Sequence, residues 1–320
     1  MKRRSALAWL ATLGITQILI IQARADILPW SDAGVSRPKY EHILKWESGL
    51  EKKFSSLVRI VEYGKTPKGL PLRLILVKKP NMPGPHPTLI MSGSTHGNEY
   101  LHIEDRLPEE ILKKAQDPGV FARFLDEGGA FVFVPILNPD GFVAGTRENS
   151  HYEDLNRDWT VRPAEYVGFR EPETKQLADA LERLKDEASL SYKVSVDYHC
   201  CAGALLYPWS FKNPPALPAE VLEQFKTLGA LAMSHLGVDI GRTGDLLGYA
   251  PTGTTKDYYY DHYGTLSLTY EGKYRVEPSQ LEKHVAWWSD MVSFLQGESK
   301  PSMIAKQRTA PKVLERRSAD

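Results

Sequence analysis

The 320-residue sequence predicts an α/β fold: one domain with a mixed, mostly parallel central sheet and helices on both faces. Three observations carry this. Short apolar runs alternate with longer stretches whose apolar residues recur at helical spacing. Two runs, 87–91 (broken only by Thr88) and 130–134, are apolar rather than alternating, as strands covered on both faces are. Three runs stop at a histidine or a glutamate (His96, His199, Glu271), and in open α/β sheets ligands gather beyond the carboxyl ends of strands.

Taken in order, Tyr40, Ile43, Leu44, Leu50 and Phe54 give an amphipathic helix over 38–54. Runs 57–61 and 72–77, separated by a loop with Gly64, Pro67 and Gly69, pair as a hairpin. The strand 87–91 leads through His96 into a helix expected over about 98–115. The strand 130–134 ends in Asn138-Pro139-Asp140-Gly141, a turn signal. A polar segment over about 143–170 is long for a connection, and long ordered loops often carry function. A helix through Leu177, Leu181 and Leu184 precedes the strand 193–197. A helix over about 219–236 follows, and Thr252–Thr255 caps a short aromatic helix. The strand 266–270 and a helix through Leu281, Val285, Trp288, Val292 and Leu295 close the pattern.

The first residues combine Lys2, Arg3 and Arg4 with an apolar run over 6–21 and the small-x-small pattern Ala23-Arg24-Ala25. That reads as a signal peptide over 1–25, with export to the periplasm or medium expected. A lasting anchor is the competing reading, but the run is short for a bilayer span and carries Thr12, Thr16 and Gln17, so no stable membrane insertion is expected after cleavage. Loss of Lys2, Arg3, Arg4 and Arg24 leaves 36 of the 40 basic residues against 40 acidic ones, a formal charge of −4. Nucleic acid is not an expected partner. The catalytic domain is expected over 26–297 and a flexible basic tail over 298–320. The two cysteines, Cys200 and Cys201, are neighbours and cannot staple distant segments of the chain.

His96 and Glu99 are three residues apart on the turn after a strand, spacing that aims an imidazole and a carboxylate at one point. With His199 they form a two-histidine, one-carboxylate set suited to one zinc ion, leaving a position for water. Glu271 is then the candidate general base, and Arg147 with the metal would stabilise an oxyanion. Asp154 is a candidate to orient the free nitrogen of a ligand histidine.

These residues resemble a known family. His96-Gly97-Asn98-Glu99, Asn138-Pro139-Asp140-Gly141, Asp154-Leu155-Asn156-Arg157, His199 followed by Leu205-Leu206-Tyr207-Pro208, and Gly248-Tyr249 leading to Tyr270-Glu271 are similar, in order and spacing, to zinc metallocarboxypeptidases of the carboxypeptidase A family (M14). The resemblance implies zinc at His96, Glu99 and His199, a base at Glu271 and oxyanion stabilisation by Arg147. It implies that Asn156 and Arg157 hold the terminal carboxylate of a peptide substrate, with Tyr249 closing over it. The compact segment 146–157 is similar to short bacterial members that trim murein peptides, which implies muropeptides as a substrate class.

By the same resemblance Lys256 lies at the floor of the pocket for the C-terminal side chain, where an ammonium would favour glutamate, aspartate or diaminopimelate. The alternative is a solvated helix lysine. Asp158 departs from the family's usual asparagine, a change expected to alter the carboxylate pocket modestly. Cys200-Cys201 is expected as two small side chains in a tight turn, against a thiolate on the metal or a strained vicinal disulfide. Asn149 either positions Arg147 or substrate, or holds the loop. The expected function is carboxypeptidase hydrolysis of a small peptide. The alternatives are an amidase acting on a γ-D-glutamyl-diaminopimelate bond, or a catalytically silent peptide-binding protein.

Overall fold

The computed structural model describes residues 37–272 and 280–298; the expected signal peptide, and the tail beyond Glu298, lie outside the described residues. Eight strands form one sheet: β1 (Val58–Lys65), β2 (Pro71–Lys78), β3 (His86–Gly93), β4 (Ala130–Val134), β5 (Leu190–Cys200), β6 (Ala204–Tyr207), β7 (Asp239–Arg242) and β8 (Leu266–Gly272). Their spatial order is β1-β2-β4-β3-β5-β8-β6-β7. The four central strands, β4, β3, β5 and β8, run parallel, β6 pairs β7 in parallel, and the remaining pairings are antiparallel.

The helices are α1 (Tyr40–Lys53), α2 (Arg106–Lys114), α3 (Val120–Asp126), α4 (Pro139–Ala144), α5 (Pro172–Glu187), α6 (Ala219–Leu236), α7 (Thr243–Leu247), α8 (Thr255–Tyr263) and α9 (Leu281–Leu295). Strand alternation sorts the core into two layers. On β4, Phe131 and Phe133 face one layer while Val132 and Val134 face the other. The first layer takes α2, α3, α6 and α9; Trp288 of α9 is fully buried, its ring 5.9 Å from Phe133. An aromatic buried this way contributes roughly 1.5–3 kcal/mol relative to its exposed state. The second layer takes α5 and α8, through Leu177, Leu181, Tyr258 and Tyr259. Among the described residues no helix is long and apolar enough to cross a membrane.

The same alternation sets up the site. Val194, Val196 and Tyr198 of β5, and Leu266, Leu268 and Tyr270 of β8, all point into the first layer. Asp197, His199, Thr269 and Glu271 therefore share the opposite face, at the carboxyl ends of adjacent parallel strands.

Two local expectations change. The helix expected over 98–115 begins only at Arg106, because the Glu104 carboxylate accepts the backbone N–H groups of Leu101 and Ile103 and holds 100–105 in a non-helical turn. Asn138-Pro139-Asp140-Gly141 opens a helix rather than a bare turn. Asn138 caps α4 by accepting the Gly141 N–H at 2.8 Å, and Pro139 takes the first position, where its missing N–H costs nothing.

Candidate active site

The chain leaves β3 for β4 on one side and then returns from β4 across β3 to β5 on the other, opening a crevice at the carboxyl ends of these strands. His96 and Glu99 lie on the loop leaving β3, and His199 is the penultimate residue of β5. Gly97 lets that loop approach α4: a Cβ there would sit 2.0 Å from the Gly141 carbonyl carbon. His96 Nδ1 lies 2.8 Å from Glu99 Oε2, His199 Nδ1 lies 3.0 Å from the same oxygen, and the two Nδ1 atoms are 3.0 Å apart. Among the described residues this is the one cluster of three or more histidine, cysteine or acidic side chains able to hold a metal ion.

The donor set fits zinc for a second reason. His96 Nε2–H donates to Asp154 Oδ1 at 3.0 Å and His199 Nε2–H to Asp197 Oδ2 at 2.8 Å. Each bond fixes a tautomer whose Nδ1 lone pair faces the centre of the cluster. Burial alone would raise the Glu99 carboxyl, but His96 and His199 outweigh it and hold it well below the ordinary range. Burial opposes ionisation of Asp154 too, and His96 with Arg147 overcome it. For His199, Asp197 and Glu99 override burial and push the imidazole well up. A surround this acidic favours a cation at the ligand nitrogens.

A cavity of about 290 Å³ opens in front of the cluster, lined by His96, Glu99, Arg147, Asn156, Arg157, Tyr249, Lys256 and Glu271, with Cys200 and Cys201 on its wall. A larger groove of about 570 Å³ at the amino ends of the strands, lined in part by Arg59, Lys78 and His86, contains no such constellation. The Arg147 guanidinium bonds Asp154 Oδ2 through Nε (3.2 Å) and Nη2 (2.9 Å), while Nη1 reaches Glu99 Oε1 at 3.2 Å. Asn156 is held by Thr255, whose N–H donates to its Oδ1 at 3.0 Å. Gly253, at φ +76°, packs on the Arg157 carbonyl in a conformation that favours glycine. Tyr249 is 48% exposed on the rim. Burial raises the Glu271 carboxyl, His199 opposes, and Glu99 adds to the rise.

Lys256 is not a solvated helix residue. It is only 3% exposed, and its ammonium donates to the Ser210 and Thr243 hydroxyls, the latter at 3.1 Å. Burial lowers its pKa, while the nearby Asp257 and Glu271 carboxylates resist that.

The model of the family described as zinc carboxypeptidase, Peptidase M14, matches residues 43–285. The chain belongs to this family. A zinc carboxypeptidase domain therefore fills most of the described structure, and zinc dependence comes with the family. The chain is 28% identical over 260 residues to Carboxypeptidase SOL1 of Arabidopsis thaliana, covering 74% of this chain and 50% of that protein. It is 25% identical over 217 residues to the Inactive metallocarboxypeptidase ECM14 of Paracoccidioides lutzii, covering 57% and 36%. The chain thus spans half or less of these relatives. Among solved structures, thrombin activatable fibrinolysis inhibitor superposes with a TM-score of 0.71 at 16% identity, over 90% of this chain and 87% of that one. A metallo-carboxypeptidase from Burkholderia cenocepacia gives 0.62 at 18%, over 81% and 70%. At these identities the structures speak for the fold.

Within this member of the zinc carboxypeptidase family, three details differ from or complete the sequence reading. Cys200 and Cys201 are joined as a vicinal disulfide, not two thiols in a turn, and the Cys200 N–H donates to Glu99 Oε2 at 3.2 Å. Asp158 does not line the cavity: it accepts the Arg170 and Glu171 N–H groups at 2.9 Å each, at the start of α5. Asn149 holds the loop, accepting the N–H groups of His151 and Glu153 and donating to Glu171. Sequence reasoning missed Asp197, Ser210 and Thr243. Asp197 had a readable signal, since two residues before a strand histidine is the same face of the strand. Ser210 and Thr243 come from segments remote in sequence, and nothing local marks them.

Proposed function

We propose that the chain is a zinc-dependent carboxypeptidase that removes an acidic or diaminopimelate residue from the C-terminus of a small peptide. Peptidoglycan-derived peptides fit this chemistry, and the signal-like N-terminus supports action in the periplasm or medium. The observation that carries the reading is a buried cation, Lys256, at one end of a cavity that also holds Asn156, Arg157, the ligand cluster and Glu271.

Zinc, held by His96, Glu99 and His199, would supply Lewis acidity to the scissile carbonyl and to water. The chain's own residues do the rest. Asn156 and Arg157 hold the substrate's terminal carboxylate, which places the last amide bond beside the cluster and makes the enzyme an exopeptidase. Lys256 offers a charged donor to a carboxylate on the side chain of the leaving residue. Arg147 sits where negative charge develops on the carbonyl oxygen. Glu271 takes a proton from the attacking water and passes it to the leaving nitrogen, so water is consumed and a carboxylate and an amine are released. A carboxyl raised by burial suits both halves of that transfer.

The test is product identification. Purified zinc enzyme incubated with muropeptides and with peptides ending in glutamate, lysine or alanine is expected to release the acidic or diaminopimelate residue fastest. Release of lysine at equal rate would remove the substrate proposal and leave the zinc site standing. Release of diaminopimelate from a γ-D-glutamyl-linked peptide with no release from the α-linked glutamate-, lysine- or alanine-ended peptides would favour the amidase reading. The inactive relative gives a reason to test silence directly: a binding protein would hold no zinc and hydrolyse none of these substrates.

A further inference from the structure

We propose that Asp197 is a positioning residue that sets the zinc affinity of the site by fixing both histidine arms with one carboxylate. It rests on the zinc reading of the cluster and on nothing about substrate.

Asp197 is 2% exposed and lies two residues before His199 on the same face of β5. Its Oδ2 accepts His199 Nε2–H at 2.8 Å. Its Oδ1 accepts Ser92 Oγ–H at 2.7 Å and Thr95 Oγ1–H at 3.0 Å. Ser92 is its register partner across the β3–β5 pairing, and Thr95 immediately precedes His96. One oxygen therefore orients the ligand on β5, and the other ties down the loop that delivers His96 and Glu99.

Among the described residues no lysine or arginine is hydrogen-bonded to this carboxylate; its partners are one imidazole and two hydroxyls. A buried carboxylate is costly unless compensated, and hydroxyls supply no charge. Its compensation runs through the His199 ring to whatever cation occupies Nδ1. Metal-ligating histidines commonly use their second nitrogen in this way, and loss of such a partner typically weakens metal binding by about 10–100-fold. Asp154 does the same for His96, but is shared with Arg147 and Asn156. Asp197 is the partner that spans both ligand-bearing segments.

Zinc affinity can be read by chelator competition with no substrate present. Asp197→Asn is expected to weaken zinc binding about 10–100-fold, with the apo protein keeping its melting temperature and the zinc-induced rise in melting temperature shrinking. The visible spectrum of the cobalt-substituted protein should change as well, since His199 loses its fixed orientation. Zinc affinity within about twofold of the parent, for a folded Asp197→Asn protein, overturns the proposal. If that variant does not fold, Ser92→Ala takes over, because Ser92 touches neither ligand. A few-fold loss of zinc affinity with unchanged apo melting supports the proposal, and unchanged affinity overturns it. Absence of zinc from the parent protein would instead sink the metal reading itself.

Discussion

The two ends of the cavity are both buried and both cationic in what they hold, yet they are built differently. At the ligand end, every histidine is answered by a carboxylate: Asp154 for His96, Asp197 for His199, and Glu99 between them. At the other end Lys256 is answered at hydrogen-bond distance, among the described residues, only by two hydroxyls, with both oxygens of Asp257 accepting the single Ser210 N–H. Carboxylates within the wall make a site that is complete once a cation is bound. Hydroxyls supply no charge to a buried ammonium, which leaves its compensation to the Asp257 and Glu271 carboxylates nearby and, on the function proposed above, to an acid on the substrate. On the function proposed above, the difference would suit one end to a resident cation and the other to an acid on the substrate.

The largest expected effect tests whether the ligand end drives chemistry at all. Glu271→Gln should lower kcat by about 10²–10⁴-fold, the usual contribution of a general base, while zinc content stays at one per chain. Near-parental kcat would break the assignment of Glu271 as the proton carrier. Next comes the Lys256 end. Lys256→Asp places a carboxylate where the ammonium was, and the ratio of kcat/KM for glutamate-ended over lysine-ended peptides should fall by about 100-fold or more, since the charge-assisted bond is lost and repulsion replaces it. Unchanged specificity would mean that the acid does not reach Lys256.

A pH profile sharpens the same contrast. Burial lowers the Lys256 pKa below the ordinary lysine value of 10.5. The charged form binds the acid, and it is lost as pH rises through the depressed pKa. The kcat/KM for glutamate-ended peptides should therefore fall on the alkaline side earlier than that for alanine-ended peptides. Lys256→Met should remove that extra limb while leaving the alanine-ended profile in place.

How much of this could be read from sequence follows from the range of the interactions. The sheet was legible because burial on both faces writes itself into consecutive apolar residues such as 130–134, and the layer each side chain joins follows from alternation. His199 and Glu271 were legible because each sits near a strand end, and His96 and Glu99 because they stand three residues apart on the loop leaving one. What escaped depends on which oxygen meets which N–H. Glu104 looked like one more helix residue, yet its carboxylate turns 100–105 away from a helix. Ser210 and Thr243 reach Lys256 from 46 and 13 residues away. The disulfide between Cys200 and Cys201 was one of several readings of two adjacent cysteines, and only their placement in three dimensions chose among them.

The smallest expected effect concerns Asp158, a departure from the family pattern expected to alter the carboxylate pocket modestly, which the structure places outside the cavity lining. Asp158 follows Arg157 directly, so its identity looks like a specificity choice. Its oxygens, however, accept the Arg170 and Glu171 N–H groups and the Thr174 hydroxyl, which ties the 158–170 loop to the first turn of α5. Asp158→Asn restores the residue common in the family but turns one acceptor into a donor facing an N–H. The expected cost is about 1–2 kcal/mol of stability, the scale of one buried hydrogen bond lost without replacement, read as a lower denaturant midpoint. The KM for glutamate-ended peptides should change by less than about twofold, because a structural bond at α5 leaves the transition-state and ground-state contacts of the cavity in place. A KM that moved while the midpoint stayed fixed would return Asp158 to the pocket and blur the division between the two ends.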